Sequence, residues 1–457
     1  MNNKYDVICV GAGPAGYPAA LGLAKAKKKV ALIEKSLDQA GGTCLNEGCI
    51  PVKALIKISK LHNEIARDGA GYGLKVSSEK PIFKDITAYT KKVSDSLRRS
   101  LIFLFKSNKI DFIEGEAEII NAQEVVVKKD GNEFKLQAEQ IILAMGSIAS
   151  EIPGFKYDGK HVISSKQALE LDELPSKVLI VGGGAIGIEF ACVFSNLGSE
   201  VKIVELKEHI LPEEDKDVAL GLTAILKKQG IDIYTNASAK IDSKDSLVKG
   251  IIKKQDGEIS FEADVVLVSV GRRANIDTEA LAKVGIKTEK GKVVINNQMQ
   301  TSLNNVYAIG DITHYPMLAH SAYKQADVAV SSILNKGTKD IDINLIPNVV
   351  YSNYEFARVG IKEETAIAEN IDYKINKYSM RACGRAVASN YPEGFIKIIY
   401  EASSERIIGA AILSHDASEL IHQLVIAIDK KLTLKDIASL VYAHPTFSEA
   451  ICDVCRS

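Results

Sequence analysis

The sequence predicts an α/β fold: two doubly wound parallel sheets, followed by a C-terminal α+β segment. Three observations predict it. A strand, a glycine loop, a helix, a second strand and an acid occur in that order twice, at one constant interval. The strands beside each loop are short, unbroken apolar runs, the pattern of strands buried on both faces. After Lys336-Gly337-Thr338-Lys339 the pattern changes to strands such as Asn348-Val349-Val350-Tyr351 and Phe395-Ile396-Lys397-Ile398-Ile399-Tyr400, then to amphipathic helices.

Tyr5 to Val10 is the first strand. It leads into Gly11-Ala12-Gly13-Pro14-Ala15-Gly16, a helical run to Lys27, and a strand from Val30 that ends at Glu34. Val178 to Val181, Gly182-Gly183-Gly184-Ala185-Ile186-Gly187 and Val201 to Glu205 repeat it. Each glycine and each acid returns 171 residues later, and each acid stands 18 residues after the last glycine. One such loop is weak evidence, but two in the same context point to two Rossmann-like dinucleotide-binding units. The first glycine makes the turn, the second lets backbone N–H groups approach a pyrophosphate, and the third packs helix on strand. The acid accepts from a ribose 2′-hydroxyl. Glu205 therefore favours NAD over NADP, whose 2′-phosphate would meet a like charge; Lys35 and Lys207 stand close to the two acids. Pro18, early in the first helix, is expected to remove a backbone hydrogen bond.

Between these units lies Gly41-Gly42-Thr43-Cys44-Leu45-Asn46-Glu47-Gly48-Cys49-Ile50-Pro51-Val52-Lys53. Positions five apart on an ideal helix are about 8 Å apart and roughly 140° around the axis. A disulfide needs Cα atoms within about 7 Å, so a bridge requires a distorted turn, and Gly48 supplies backbone freedom for one. A helix N-terminus also favours the thiolate. By themselves the cysteines leave three readings open: an exchangeable disulfide, two inert buried thiols, or half of a zinc site. No second Cys pair lies at zinc-finger spacing beside this one, and no metal site is expected.

The 457 residues allow about three domains, each with its own core. A net charge of −1 argues against nucleic-acid or membrane-surface partners, and no apolar run reaches membrane-spanning length. Met1-Asn2-Asn3-Lys4 enters a strand without a signal peptide, and the odd count of seven cysteines does not suit a secreted disulfide framework. A cytoplasmic location is expected. Near the other end, His444-Pro445-Thr446-Phe447-Ser448-Glu449 sets a histidine five residues from a carboxylate that could fix its tautomer. Pro445 is a candidate cis proline.

The Gly41 to Lys53 run resembles the redox-active segment of the pyridine nucleotide–disulfide oxidoreductases. Leu45-Asn46 and Lys53-Ala54-Leu55 come closest to their dihydrolipoamide dehydrogenase branch. Further matches are Ile141-Ile142-Leu143-Ala144-Met145-Gly146-Ser147, Val265-Val266-Leu267-Val268-Ser269-Val270-Gly271-Arg272, Val306-Tyr307-Ala308-Ile309-Gly310-Asp311 and Met317-Leu318-Ala319-His320. The resemblance covers nearly the whole chain and implies NAD-linked oxidation of dihydrolipoamide through a Cys44–Cys49 disulfide and FAD. It implies FAD at the first loop and NAD at the second, with cofactor contacts from Gly11, Gly13, Pro14, Ala15, Gly16, Glu34, Lys35, Gly42, Thr43, Lys53, Ala144, Gly146, Ser147, Gly310, Asp311, Met317, Leu318, Ala319 and His320 around the first. Gly182, Gly184, Ala185, Ile186, Gly187, Glu205, Gly271 and Arg272 serve the second, and Gly115, Ala117 and Ala239 are further cofactor positions.

By the same resemblance Cys44 is the interchange thiol and Cys49 faces the flavin. Lys53 and Glu189 pair near the reactive flavin nitrogen, and His444 with Glu449 reaches into the partner subunit of a homodimer. Four segments follow: 1–147 (FAD, broken by a helical stretch near 52–106), 148–271 (NAD), 272–338 (FAD, returning) and 339–457 (dimerisation). No lipoyl-type domain is expected before Tyr5. The implied partners are lipoyl domains of 2-oxoacid dehydrogenase or glycine cleavage complexes. Tyr442 stands where the branch usually has a second histidine, Val52 where a small polar residue is common, and Tyr354 where a proline is usual. The rivals are a glutathione or mercuric reductase, the latter invited by Cys452 and Cys455, and a subunit of such a complex that has lost turnover.

Overall fold

The structure is a computed structural model that describes residues 3–74, 81–337 and 339–457. Met1, Asn2 and Thr338, the end of the third expected segment, lie outside the described residues, as does 75–80 within the expected helical stretch. Contacts divide the chain into two compact units. The first gathers Met1–Ala54, Thr87–Ser150 and Arg272–Ile341; the second gathers Leu55–Ile86, Glu151–Gly271 and Asp342–Ser457.

The first unit is built on a seven-stranded sheet. Strand Lys4–Val10 is central, parallel to Val30–Glu34 on one side and to Asn132–Leu143 on the other. Val7, Ile8 and Cys9 are fully buried, which is why this strand reads as a continuous apolar run. Val306–Ala308 pairs in parallel with Ile141 to Leu143, and Asp111–Glu114 extends the far edge. Antiparallel strands Glu124–Lys129 and Glu116–Asn121 complete the sheet. Four helices matter for the site: α1 (Gly16–Lys25), α2 (Gly42–Glu47), α3 (Cys49–Asn63) and α4 (Phe83–Ser107). Pro18 is the third residue of α1; the Tyr17 N–H donates to Gly13 O at 3.1 Å and the Ala19 N–H to Ala15 O at 3.4 Å, so the proline leaves the bond between them unmade, as expected.

The second unit carries a five-stranded parallel sheet in the order Asp232–Tyr234, Glu200–Val204, Lys177–Val181, Val265–Val268, Val162–Ile163. A three-stranded antiparallel sheet (Ser238–Lys244, Val248–Lys254, Gly257–Ala263) packs into the same core through Val248, Ile252, Phe261 and Ala263. The C-terminal part has five antiparallel strands with helices Ala417–Asp429 and Glu449–Arg456. Its core includes Ile396, Ile398, Ile412, Leu424, Ile451 and Val454, each side chain contributing about 1.5–3 kcal/mol on burial. Lys397, between two of these isoleucines, points to the other face of the strand and is fully buried. Its Nζ lies 2.8 Å from Asp215 and from Asp217 and 3.5 Å from Glu363. Among the described residues no helix is long and apolar enough to cross a membrane.

Candidate functional site

The two glycine loops share one construction. In the first, the Ala12 N–H donates to Glu34 Oε2 at 2.8 Å and the Lys35 N–H to Oε1 at 2.9 Å. In the second, Gly183 N–H donates to Glu205 Oε2 at 2.7 Å and Lys207 N–H to Oε1 at 2.8 Å. Each acid thus accepts two backbone N–H bonds at the tip of its strand. The Lys35 ammonium is 2.9 Å from Glu116.

Steric space distinguishes the glycines by role. A Cβ on Gly16 would lie 1.8 Å from Gly11 O, and one on Gly187 would lie 2.1 Å from Gly182 O. These last glycines are required by the chain's own close packing. A Cβ on Gly13 meets only Gly42 Cα at 3.7 Å, and one on Gly184 meets nothing within 4 Å. Space is therefore left over the middle glycines, beside N–H groups at a helix start, where a pyrophosphate fits. Pro14, Ala15, Ala185 and Ile186 fall at these two helix starts.

Further residues in the first unit converge around its sheet ends. Ser147 Oγ donates to Asp311 Oδ2 at 2.5 Å, and Arg272 donates to Ser147 through Nε (2.8 Å) and Nη2 (2.7 Å). Arg272, expected beside the second nucleotide, thus bonds to a residue of the first unit. Lys292 donates to Asp311 O at 2.6 Å. Gly310 N–H donates to the fully buried Gln325 Oε1 at 2.8 Å. Ala144 N–H donates to Val10 O, Asn275 N–H to Gly146 O, and Gly115 N–H to Glu34 O. Ala117 pairs opposite Val127. Met317 and Leu318 lead into helix Ala319–Ile333, whose second residue is His320.

Cys44 and Cys49 are both thiols, and no disulfide is formed among the described residues. The helix is fully interrupted between them instead of carrying one distorted turn. α2 ends at Gly48 (φ −141°, ψ −115°) and α3 starts at Cys49. A side chain on Gly48 would press on Thr43 O at 3.0 Å. The hydrogen bond that the Cys44 thiol makes to Cys49, with burial second, holds it well above its ordinary value, while the charge of Lys53 opposes this. Gly42 and Thr43 open α2. Tyr17 OH donates to Tyr323 OH at 3.0 Å, and both phenols interact electrostatically with Cys44.

In the second unit, Glu189 sits in the first turns of helix Ala185–Leu197, buried, its Oε1 accepting from the Tyr351 N–H at 3.2 Å. Gly271 (φ +105°) follows the Val265–Val268 strand closely, and Ala239 pairs opposite Ile252. The His444–Pro445 bond is cis. His444 Nδ1 lies 2.9 Å from Glu449 Oε1, whose other oxygen accepts from the Thr446 N–H at 2.7 Å. The Thr446 N–H first, and His444 second, hold this carboxyl below the usual carboxylate range. With Nδ1 engaged, Nε2 is the atom left for proton transfer, and the imidazole is 80% exposed. Tyr442 packs against the C-terminal core, and burial raises its phenol. Tyr354 packs edge-on against Tyr391. Val52 is buried. Cys452 and Cys455 are buried in the last helix.

Two residues carried no signal in the sequence: Gln325 acts through a buried amide, and Arg98 donates to Asn46 Oδ1 from 52 residues away. Thr446, inside the His444 to Glu449 run, and Asn46, inside the cysteine motif, stood in conspicuous places, though the Thr446 role falls to its backbone N–H.

Residues 5–326 match the family described as pyridine nucleotide-disulphide oxidoreductase, and 346–454 match its dimerisation domain. The chain is 38% identical over 451 residues to mitochondrial dihydrolipoyl dehydrogenase 2 of Arabidopsis thaliana, covering 98% of this chain and 89% of that one. It is 37% identical over 447 residues to the dihydrolipoyl dehydrogenase of Bacillus subtilis, covering 97% and 94%. Among solved structures it is similar to a HOCl-induced flavoprotein disulfide reductase of Escherichia coli in its Cu(II) complex. There the TM-score is 0.89 at 29% identity, over 99% of both chains.

Proposed function

The chain belongs to the pyridine nucleotide-disulphide oxidoreductases, and from that premise we propose that it is a dihydrolipoyl dehydrogenase, oxidising protein-bound dihydrolipoamide with NAD. The observation that carries the reading is the Cys44 and Cys49 thiol pair, set across a helix break after the first strand–loop–helix–strand unit. Gly42, at the start of α2, supplies the atom nearest to the open middle glycine of that loop. The full-length identity to dihydrolipoyl dehydrogenases supports the choice of substrate.

The residues at both loops fit dinucleotides. Gly13, Glu34, Ser147 and Asp311 would hold FAD, with Lys53 beside its reactive ring. Gly184, Glu205 and the backbone around them would hold NAD. A 2′-phosphate would sit against the Glu205 carboxylate, which favours NAD over NADP. When bound, FAD takes two electrons from the dithiol and passes them as hydride to NAD.

The chain's own side chains carry the thiol exchange. In the oxidised pair, His444 of the partner subunit takes a proton from one substrate thiol. The thiolate attacks Cys44, forming a mixed disulfide and releasing Cys49 as a thiolate. The imidazolium releases that proton to solvent, and the second substrate thiol, losing its own proton to the restored imidazole, attacks the substrate sulfur bonded to Cys44. Cyclic lipoamide leaves and Cys44 departs as a thiolate that takes up a proton. The hydrogen bond between Cys44 and Cys49 suits this division, in which the remaining negative charge is assigned to Cys49, the thiol nearer the flavin in this reading. Glu449 holds the imidazole tautomer throughout.

The physiological partners in this reading are a second copy of the chain and lipoyl domains of 2-oxoacid dehydrogenase or glycine cleavage complexes. The compartment in this reading is the cytoplasm, where the other cysteines stay reduced. Anaerobic addition of dihydrolipoamide to FAD-loaded protein tests the proposal. A long-wavelength band dependent on Cys49 is expected after two electrons, with NAD-linked turnover far exceeding NADPH-linked reduction of glutathione disulfide. No band, or the reverse preference, overturns it.

A further inference from the structure

α2 is six residues long, too short to hold itself, and only Leu45 of it is buried. The break at Gly48 also denies it continuous hydrogen bonding with α3. Something else must fix Cys44 relative to Cys49, and the side chain between them does so. Asn46 Nδ2 shares its protons among Gly42 O (2.9 Å), Ala40 O (3.1 Å) and Gln39 O (3.3 Å). Its Oδ1 accepts from Arg98 Nη1 at 2.7 Å, and the same nitrogen donates to Asp38 O at 3.1 Å. Arg98 Nη2 donates to Asp95, one turn earlier on the 25-residue α4. The Arg98 side chain is 17% exposed, so its contacts are made in a partly dry setting and are stronger for it.

We propose that Arg98 is a positioning residue of the dithiol, holding α2, and so Cys44, in place against Cys49 through the Asn46 amide. The chain of contact runs from α4 through the Arg98 fork to Asn46, and on to the 39–42 turn that precedes the cysteines. A planar fork is needed because one nitrogen serves Asn46 and Asp38 while the other serves Asp95. A lysine at this place offers a single nitrogen for both jobs.

The inference deepens the proposed function and rests on it for the identity of the dithiol substrate. The test uses the full-length, FAD-loaded protein as wild type, Arg98→Lys, Arg98→Ala, Asn46→Ala and the Arg98→Ala/Asn46→Ala double variant. The first readout is the equilibrium between Cys44–Cys49 dithiol and disulfide in dithiothreitol buffers, counted by alkylation of each cysteine. About a tenfold fall in disulfide formation is expected in both Arg98 variants, equivalent to ~30 mV for a two-electron couple. The second readout is turnover. Dihydrolipoamide–NAD activity is expected to fall about tenfold while NADH oxidation by an artificial acceptor stays within about twofold, and the double variant is expected to be no worse than the worse single one. Arg98→Lys keeps the charge and the Asp95 pair, so it decides the matter should Arg98→Ala fail to fold. A wild-type thiol equilibrium in Arg98→Lys overturns the proposal, as does additivity in the double variant. A wild type inactive on dihydrolipoamide sinks the functional reading instead, and leaves the thiol equilibrium to judge Arg98.

Discussion

Replacing Gly184 by alanine separates a glycine kept for a ligand from one kept for packing. Its backbone (φ −80°, ψ −175°) is open to any residue, and the added methyl has no protein atom within 4 Å. Folding stability is therefore expected to stay within about 1 kcal/mol of wild type. The methyl instead fills the space over the loop N–H groups. Losing one hydrogen bond to a charged phosphate costs about 1.5–3 kcal/mol, or roughly 10- to 150-fold in KM for NAD. Gly187→Ala should behave in the opposite way. Its methyl would lie 2.1 Å from Gly182 O and 2.8 Å from Ser269 Oγ, so the backbone must move and more than about 4 kcal/mol is lost. Thermal melting, flavin absorbance and NAD kinetics with dihydrolipoamide read the pair. An unchanged KM in Gly184→Ala would refute the assignment of that space to a pyrophosphate, and a stable Gly187→Ala would refute the packing argument.

Cys49→Ser is expected to cut dihydrolipoamide–NAD turnover by roughly a thousandfold or more while sparing NADH oxidation by an artificial acceptor; parallel losses would mean a folding defect. Glu449→Gln removes the charge that fixes the His444 tautomer, and kcat should fall roughly a hundredfold or more. Because the Glu449 carboxyl is depressed, the ion pair persists below the ordinary carboxylate range, so a wild-type rate profile breaking at about pH 4 through Glu449 would contradict this account. Lys397→Met leaves Asp215 and Glu363 without their cation and Asp217 with Lys377 alone at 3.0 Å, and should cost about 3–5 kcal/mol in urea unfolding at pH 7. Burial works to lower Lys397, but its bonds to Asp215 and Asp217 raise it overall, and burial of Asp217 is likewise outweighed by its lysine partners. The lysine contribution is full below its unfolded value and is lost as pH rises through the raised one; the Asp217 contribution is full above its unfolded value and is lost as pH falls through the depressed one. The penalty should thus be flat from about pH 5 to 10 and shrink outside.

The doubled nucleotide unit was legible because its parts are local: a loop, the strand before it, and an acid at the next strand's tip. The His444–Glu449 contact was legible for the same reason, five residues apart with a proline between. What could not be read depends on distant partners. The grouping of 55–86 with the second unit is purely tertiary, and Arg272 was placed by its motif at the NAD end although its bonds go to Ser147. Arg98 sits in a polar stretch of α4 where most arginines face solvent. Lys397 did leave a trace, a charge within an apolar strand, which in a packed sheet signals either a bulge or a buried ion cluster. The break at Gly48 was foreseen only as a bent turn, since the demand on cysteine spacing shows that a helix must yield but not how far.

In the proposed mechanism the exposure of His444 makes the dimer a chemical requirement. A general base standing in water exchanges its proton with solvent, and it serves one dithiol only when a second surface covers it. Val441 is fully exposed and Leu440 about half exposed, three and four residues before the imidazole, and this segment lies within the match to the dimerisation domain. In a two-fold interface a change at Val441 is made twice. Losing about 1.5 kcal/mol of burial per copy weakens association by roughly 150-fold, and a buried carboxylate adds to that. Val441→Glu should therefore sediment as a monomer at concentrations where wild type is dimeric, losing dihydrolipoamide turnover yet keeping FAD and NADH oxidation by an artificial acceptor. A fully active monomer would show that each chain completes its own proton transfer, and the role given to the partner's imidazole would have to be abandoned.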